Sequence, residues 1–490
     1  MAIRYHSTNN HREDVSFREA ILNGIASNYG LYMIRRQDIP KIRPSEIKEM
    51  KQKSYAEIAH RVLLPFVTPD IGENDFMYIL EKAYSERVIP VELQPVTGRT
   101  RLMWLSRGPT YSFKDFAARF FSGILNHFLE KTGQKRVVIV ATSGDTGGAV
   151  AHALLGFDNV SNVVFFPEGS ISEQQRRQMT TLGRNIHAFS VNGDFDVCQE
   201  IAKNLLGDRE FARECTDDPE RFTSANSISL GRLLPQTVYP FFAYSRLDTN
   251  GSGFFASIPS GNFGDMMGTV LAREMGLPVK KIICGVNENR VFPEYLKTGK
   301  YEVHASIWSP STAMIVSHPS NFARLIEFYG GHIYDERDKI TKNVVRPGVI
   351  DRKPDIDEMR RDIFSVSVSN NQHYDTIREV YERFGVVLDP HGSVGWRALD
   401  DFFSGKHEDH AVVYATADPG KFPVDIEKAI GITPPVPEGI RAQRNLEERV
   451  YSVDSPPAVD GMGGKRMSEK QYAEAKQRIK EIFREQRNQL

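Results

Sequence analysis

The chain has 490 residues, 40% of them hydrophobic and 26% charged, which is enough for two or three globular domains with sizeable cores. Lys plus Arg number 62 against 63 Asp plus Glu, so a net charge of -1 gives no field for nucleic acid or an anionic membrane, and a small-molecule substrate fits better. The cysteines Cys198, Cys215 and Cys284 show no CxxC pairing, and no signal-peptide core or run of roughly 20 apolar residues is present, so the expectation is a reduced, cytoplasmic protein without disulfides or a zinc knuckle.

Along residues 16–31, Phe17, Ala20, Ile21 and Ile25 recur at helical spacing, and Gly30 is placed to end the element. Residues 1–95 read as a mostly helical N-terminal extension. Beyond them, β-rich runs alternate with glycine- and hydroxyl-rich loops and amphipathic helices: RVVIVA before TSGDTGG, NVVFF before PEGSISEQQ, FFASI before PSGNFGD, KIICGV before NENR, and AVVYA before TADPGKF. Uninterrupted apolar strands alternating with helices predict an α/β fold of open, mostly parallel sheets, with ligands beyond the carboxyl ends of the strands. Residues 96–435 are expected to form two α/β subdomains with the site between them, and 436–490 a Pro/Gly-rich linker and a charged, solvated C-terminal helix.

Three loops carry candidate chemistry. In GPTYSFKDFAARFFSGIL, Ser112 is an eligible N-cap and Lys114 falls in the first helical turn, where the helix dipole disfavours an ammonium ion. Such a lysine suits imine formation with an aldehyde, although by itself it also reads as a surface lysine paired to Asp115. In PSGNFGDMMG, Gly261, Asn262, Phe263 and Gly264 lie at a helix start whose exposed amides suit a phosphate, or form no more than a tight strand-to-helix turn. The spacing is neither GxGxxG nor GxxxxGK[ST], which disfavours dinucleotides and P-loop nucleotides. In ATSGDTGGAVAHALLG, Thr142, Ser143, Asp145 and Thr146 cluster at another helix start, where they either hold a carboxylate or cap the helix. Two anion sites and an oddly placed lysine together fit a phosphate-bearing aldehyde cofactor and an amino-acid substrate.

The stretches SFKDFAARF, ATSGDTGGAVAHALLG, NSISLGRLLPQ, PSGNFGDMMG, NENRVFPEYLKTGKY and DPHGSVGWRAL resemble the corresponding segments of threonine synthases, and over residues 4–430 the longer, N-terminally extended subgroup is the closer match. The resemblance implies a tryptophan-synthase-β-like fold and pyridoxal 5'-phosphate as cofactor. It makes Lys114 the Schiff-base lysine, residues 261–264 the cofactor-phosphate loop and Thr416 the hydroxyl at the pyridine nitrogen. Asn226 and Arg232 match positions for the phosphate of the substrate. The implied activity is a lyase of threonine biosynthesis, turning O-phospho-L-homoserine and water into L-threonine and phosphate.

Some positions depart from the family pattern. The usual STRG is here Ser7, Thr8, Asn9 and Asn10, NAMD reads Thr312, Ala313, Met314 and Ile315, and TAHPAKF has Asp418 in place of histidine. Those at Ile315 and Asp418 leave the cofactor untouched but keep a second substrate in play. The alternatives are a related lyase or replacement enzyme for another phosphorylated or acylated amino acid, and a non-catalytic binding protein on the same fold. His391 in DPHGSVG reads as a site residue or a core histidine, and His304, His318 and His373 lack metal-ligand spacing, so no metal is expected. Monomer and dimer stay open.

Overall fold

Runs such as RVVIVA and AVVYA can satisfy their apolar side chains only between two covering layers, and the strands Arg136–Ala141 and Ala411–Ala415 are buried along their whole length. The computed structural model describes residues 2–488 except 217, 219, 220, 340, 341, 343, 406 and 460–463. The larger sheet runs Ile363–Ser367, Val279–Val286, Phe254–Pro259, Ala411–Ala415, Thr100–Trp104, Glu92–Thr97, with every pairing parallel except the last, an antiparallel edge. The smaller sheet runs Val450–Val453, Ile186–Val191, Val160–Pro167, Arg136–Ala141, Phe222–Ser224 and is parallel throughout.

Alternation along each strand divides the core by face. Met103, Val412 and Tyr414 of the larger sheet and Val138, Val140 and Val164 of the smaller join one apolar core with the N-terminal helices and the helix Lys114–Thr132. On the opposite faces, Leu102, Ile283 and Val413 pack with Ile377 and Trp396, and Val137, Ile139 and Val163 with Ile201 and Leu205. Both sheets therefore stay fixed under the loops at their carboxyl ends, where the three candidate motifs lie.

The N-terminal extension holds more helix than strand, and it adds a small sheet that the sequence reading did not name. Its helices Phe17–Asn23, Pro44–Glu49, Tyr55–Val67 and Glu73–Ala83 are accompanied by a three-stranded antiparallel sheet of Tyr5–Ser7, Asn10–Val15 and Tyr32–Ile34. The first helix starts on a Ser16/Glu19 capping box and ends at Gly24, not Gly30. Gly24 has φ of 70°, and a Cβ there would lie 2.7 Å from the Ser224 amide, so the chain must turn where this helix meets the smaller sheet.

The C-terminal segment is more integrated than a charged linker and solvated helix. Val450–Val453 adds an edge strand to the smaller sheet, and the helix Glu469–Asn488 buries Ala475, Ile479 and Ile482 in its core while the charged face stays outside. Among the described residues no helix is long and apolar enough to cross a membrane.

Candidate active site between the two sheets

Lys114 opens its helix just beyond the strand Thr100–Trp104. Ser112 is not the N-cap: it forms an isolated bridge with Ala417, and its buried hydroxyl has no partner among the described residues. Phe113 takes the cap position, its amide donating to Thr416 O at 2.8 Å and its carbonyl accepting from the Tyr239 hydroxyl at 3.2 Å. Asp115 is occupied by the Thr110 amide and hydroxyl at 2.9 and 2.6 Å, which leaves Lys114 without the surface ion pair it could otherwise have made.

The half-buried Lys114 side chain places its ammonium 4.1 Å from the centre of the Phe113 ring. Burial lowers its pKa to about 8, with Asp265 pulling the other way and Arg232 adding to the fall. Asp265 bonds to the Ser260 hydroxyl and accepts from the Met266 amide at 2.9 Å, and burial pushes its carboxyl up. Lys114 is thus a weak cation in the field of two buried acids, Asp265 and Asp145.

Asp265 stands in the first turn of the helix Gly264–Glu274, just after the turn that joins it to the strand Phe254–Pro259. Phe263 adopts a left-handed φ of 59° and buries its ring against Phe292 and Phe322. The Asn262 amide oxygen accepts from the Ser320 amide and hydroxyl at 3.2 and 3.3 Å. Among the described residues the amides of Gly261, Asn262 and Phe263 meet no protein acceptor. A Cβ on Gly261 would lie 2.8 Å from Met314 Cα and 3.2 Å from Ala313 O, so only glycine lets the segment Thr312–Met314 close over this turn.

In the third loop the predicted residues divide. The Thr142 hydroxyl accepts from the Gly144 and Gly147 amides at 3.0 and 2.8 Å, shaping the turn. Asp145 is buried and accepts from Lys421 Nζ at 2.6 Å and Gln175 Nε2 at 3.0 Å. Burial alone would raise the Asp145 carboxyl, but Lys421, His391 and Gln175 outweigh it and hold it below the usual range. Ser143 and Thr146 are the half-buried hydroxyls of this loop, and Ser143 lines, with Thr312 and Ile315, a cavity of about 380 Å³.

Asn226 bonds to both backbone groups of Ala141, accepting its N–H at 2.9 Å and donating to its carbonyl at 2.5 Å, so its amide extends the ladder between Phe222–Ser224 and Arg136–Ala141. Arg232 is 2% exposed, donates to Ala225 O at 2.6 Å and has a buried Nε without a partner among the described residues; burial lowers its pKa to about 10. Thr416 sits at the end of the strand Ala411–Ala415, against the turn before Lys114.

The departures have local roles. Asp418 caps a short turn through the Gly420 amide at 2.9 Å and meets Arg107 at 3.5 Å, and burial raises its carboxyl. His391 accepts the Ala313 N–H at Nε2, 3.1 Å, while Nδ1 bonds to Asp389 at 2.6 Å. It is a buried histidine that also braces the segment closing over Gly261.

Sequence reading missed Asp265, Lys421, Gln175 and Asp389, the partner of the His391 it had singled out. Asp265 and Lys421 stand inside the motifs SGNFGD and DPGKF, but Lys421 meets Asp145, and Lys114 feels Asp265, only through long-range packing. The set fits a phosphate-bearing aldehyde: free amides at a helix start, a lysine of lowered basicity, and the unpartnered Ser112 Oγ and Arg232 Nε.

Such a lysine and amide cradle at the carboxyl ends of parallel strands define a pyridoxal-phosphate-dependent enzyme, and residues 102–418 match the family model described as pyridoxal-phosphate dependent enzyme. Residues 4–84 match the threonine synthase N terminus and 392–461 the threonine synthase C-terminal model. The chain is 36% identical over 461 residues to threonine synthase of Pseudomonas aeruginosa, covering 91% of this chain and 95% of that one. It is 32% identical over 446 residues to the Escherichia coli enzyme, with the same coverage. The crystal structure of threonine synthase from E. coli superposes with a TM-score of 0.83 at 28% identity over 98% of this chain and 100% of that one. The pyridoxal-phosphate-bound threonine synthase from Brucella melitensis gives 0.83 at 28% over 99% and 100%. The chain belongs to the threonine synthase family.

Proposed function

We propose that this enzyme converts O-phospho-L-homoserine and water to L-threonine and phosphate, with Lys114 holding the cofactor aldehyde and then moving the α and β protons. The observation that carries the reading is the placement of a half-buried Lys114 at a helix start beyond a parallel strand, with a buried, partly unpaired Arg232 close enough to act on its charge. Pyridoxal phosphate, when bound, supplies the electron sink for charge developed at the Cα and Cβ of the substrate. With a pKa of about 8, roughly a tenth of Lys114 is neutral amine at pH 7, against one in a few thousand for an ordinary lysine. The same side chain can therefore take a proton and return it at neutral pH.

The amides of residues 261–264 hold the cofactor phosphate, and the Thr416 hydroxyl serves the pyridine nitrogen as a neutral partner. Arg232 offers a desolvated guanidinium to the departing phosphate, where growing negative charge is stabilised most strongly. The half-buried hydroxyls of Ser143 and Thr146 bind the amino-acid end of the substrate. Thr142, Asp145 and Asn226 give that loop its shape through the bonds described above. Residues 96–435 act as the catalytic unit. The buried Cys198, Cys215 and Cys284 form no disulfide among the described residues, which supports a reducing, cytoplasmic setting.

Borohydride reduction of the cofactor-loaded protein followed by peptide mass spectrometry tests the assignment. A cofactor-derived mass on Lys114 is expected; the same mass on another lysine would overturn it.

A further inference from the structure

We propose that His6, His11 and Glu327 form a binding site for one divalent transition-metal ion of the zinc class, bridging the N-terminal hairpin to the helix Phe322–Phe328. The segment HSTNNH places the histidines on the antiparallel strands Tyr5–Ser7 and Asn10–Val15, one step from the Ser7↔Asn10 pair, and their rings stack with centroids 4.8 Å apart. The Glu327 carboxylate, in the last turn of Phe322–Phe328, meets His6 Nε2. One ligand atom from each of the three lies within 4.8 Å of the others, a spacing that bonds of about 2.0–2.2 Å to a shared ion can span with modest closure.

The ion pair alone does not satisfy this cluster. The His6 side chain is 0% exposed and that of Glu327 9%, yet His6 Nδ1 and Glu327 Oε2 are buried without partners among the described residues. An unanswered buried carboxylate oxygen is costly, and a divalent cation answers it directly.

Two imidazoles and a carboxylate select zinc over the all-oxygen ions, and exposed His11 leaves room for water as fourth ligand. The helix that carries Glu327 follows Ser320 and Asn321, which hold Asn262 of the phosphate cradle. The ion braces that support without entering the reaction.

The test uses cofactor-loaded protein stripped with a chelator and titrated in phosphate-free buffer with Zn²⁺ against a chromophoric competitor, and with Co²⁺ by visible spectroscopy. One ion per chain is expected, with affinity reduced about tenfold or more in His11→Asn and Glu327→Gln and the cofactor absorption unchanged. His11 is exposed, so its variant leaves the fold intact. Absence of stoichiometric binding, or variants that bind Zn²⁺ as tightly as the parent, would overturn the site.

Discussion

Replacing Lys421 by methionine removes one half of a buried ion pair and leaves the other half stranded. Lys421 is 0% exposed and Asp145 3%; Nζ donates to Asp145 at 2.6 Å and to Thr110 O at 3.0 Å. Without it, the Gln175 amide at 3.0 Å is the remaining side-chain donor to Asp145 among the described residues. Breaking such a pair from one side costs about 3–5 kcal/mol, whereas replacing both partners by apolar groups is close to neutral. Lys421→Met should therefore lose about 3–5 kcal/mol in equilibrium urea unfolding, and Lys421→Met/Asp145→Leu should recover at least half of it. The folded Asp145 carboxyl lies below its ordinary value, so its contribution is present above the ordinary range and lost as pH falls through the folded pKa. Phosphate release should fall with the single variant as well, because the pair ties the loop at 142–146 to the segment after Thr416. A loss below about 1 kcal/mol, or a double variant whose cost equals the sum of the two singles, would refute the coupling.

Cofactor-depleted protein should recapture pyridoxal phosphate faster as pH rises through about 8 and then level off, since burial lowers the Lys114 pKa to that value and only the neutral amine attacks the aldehyde. Stopped-flow absorbance checks this, and a rate still climbing above about pH 10 would indicate an ordinary lysine. Gly261→Ala forces a Cβ to 2.8 Å from Met314 Cα; overpacking of about 1–3 kcal/mol should loosen cofactor retention roughly tenfold, measured by equilibrium dialysis. Asp418→Asn keeps an acceptor for the Gly420 amide and removes a charge already facing Arg107, so kcat/KM in steady-state assays should stay within about threefold.

The parallel sheets were legible because strands buried on both faces leave unbroken apolar runs, and the turn 261–264 because the segment closing over it demands glycine at Gly261. The N-terminal strands Tyr5–Ser7 and Tyr32–Ile34 were not, since three residues are too few for a period to show. Gly24 rather than Gly30 ends the first helix: it takes the positive φ of 70° and its N–H closes the last turn on Ala20 O. Asn226 looks like a phosphate ligand in its motif, yet its hydrogen bonds to Ala141 depend on strand register. The Lys421/Asp145 pair is likewise a product of tertiary structure, although each residue stands in a legible motif.

The central claim is tested most directly by incubating the purified enzyme with O-phospho-L-homoserine and measuring phosphate and amino-acid products together, with Lys114→Ala as control. Phosphate and L-threonine in equal amounts, both abolished by the substitution, are the predicted result. Phosphate release without threonine, or threonine formation that survives in Lys114→Ala, would contradict the account.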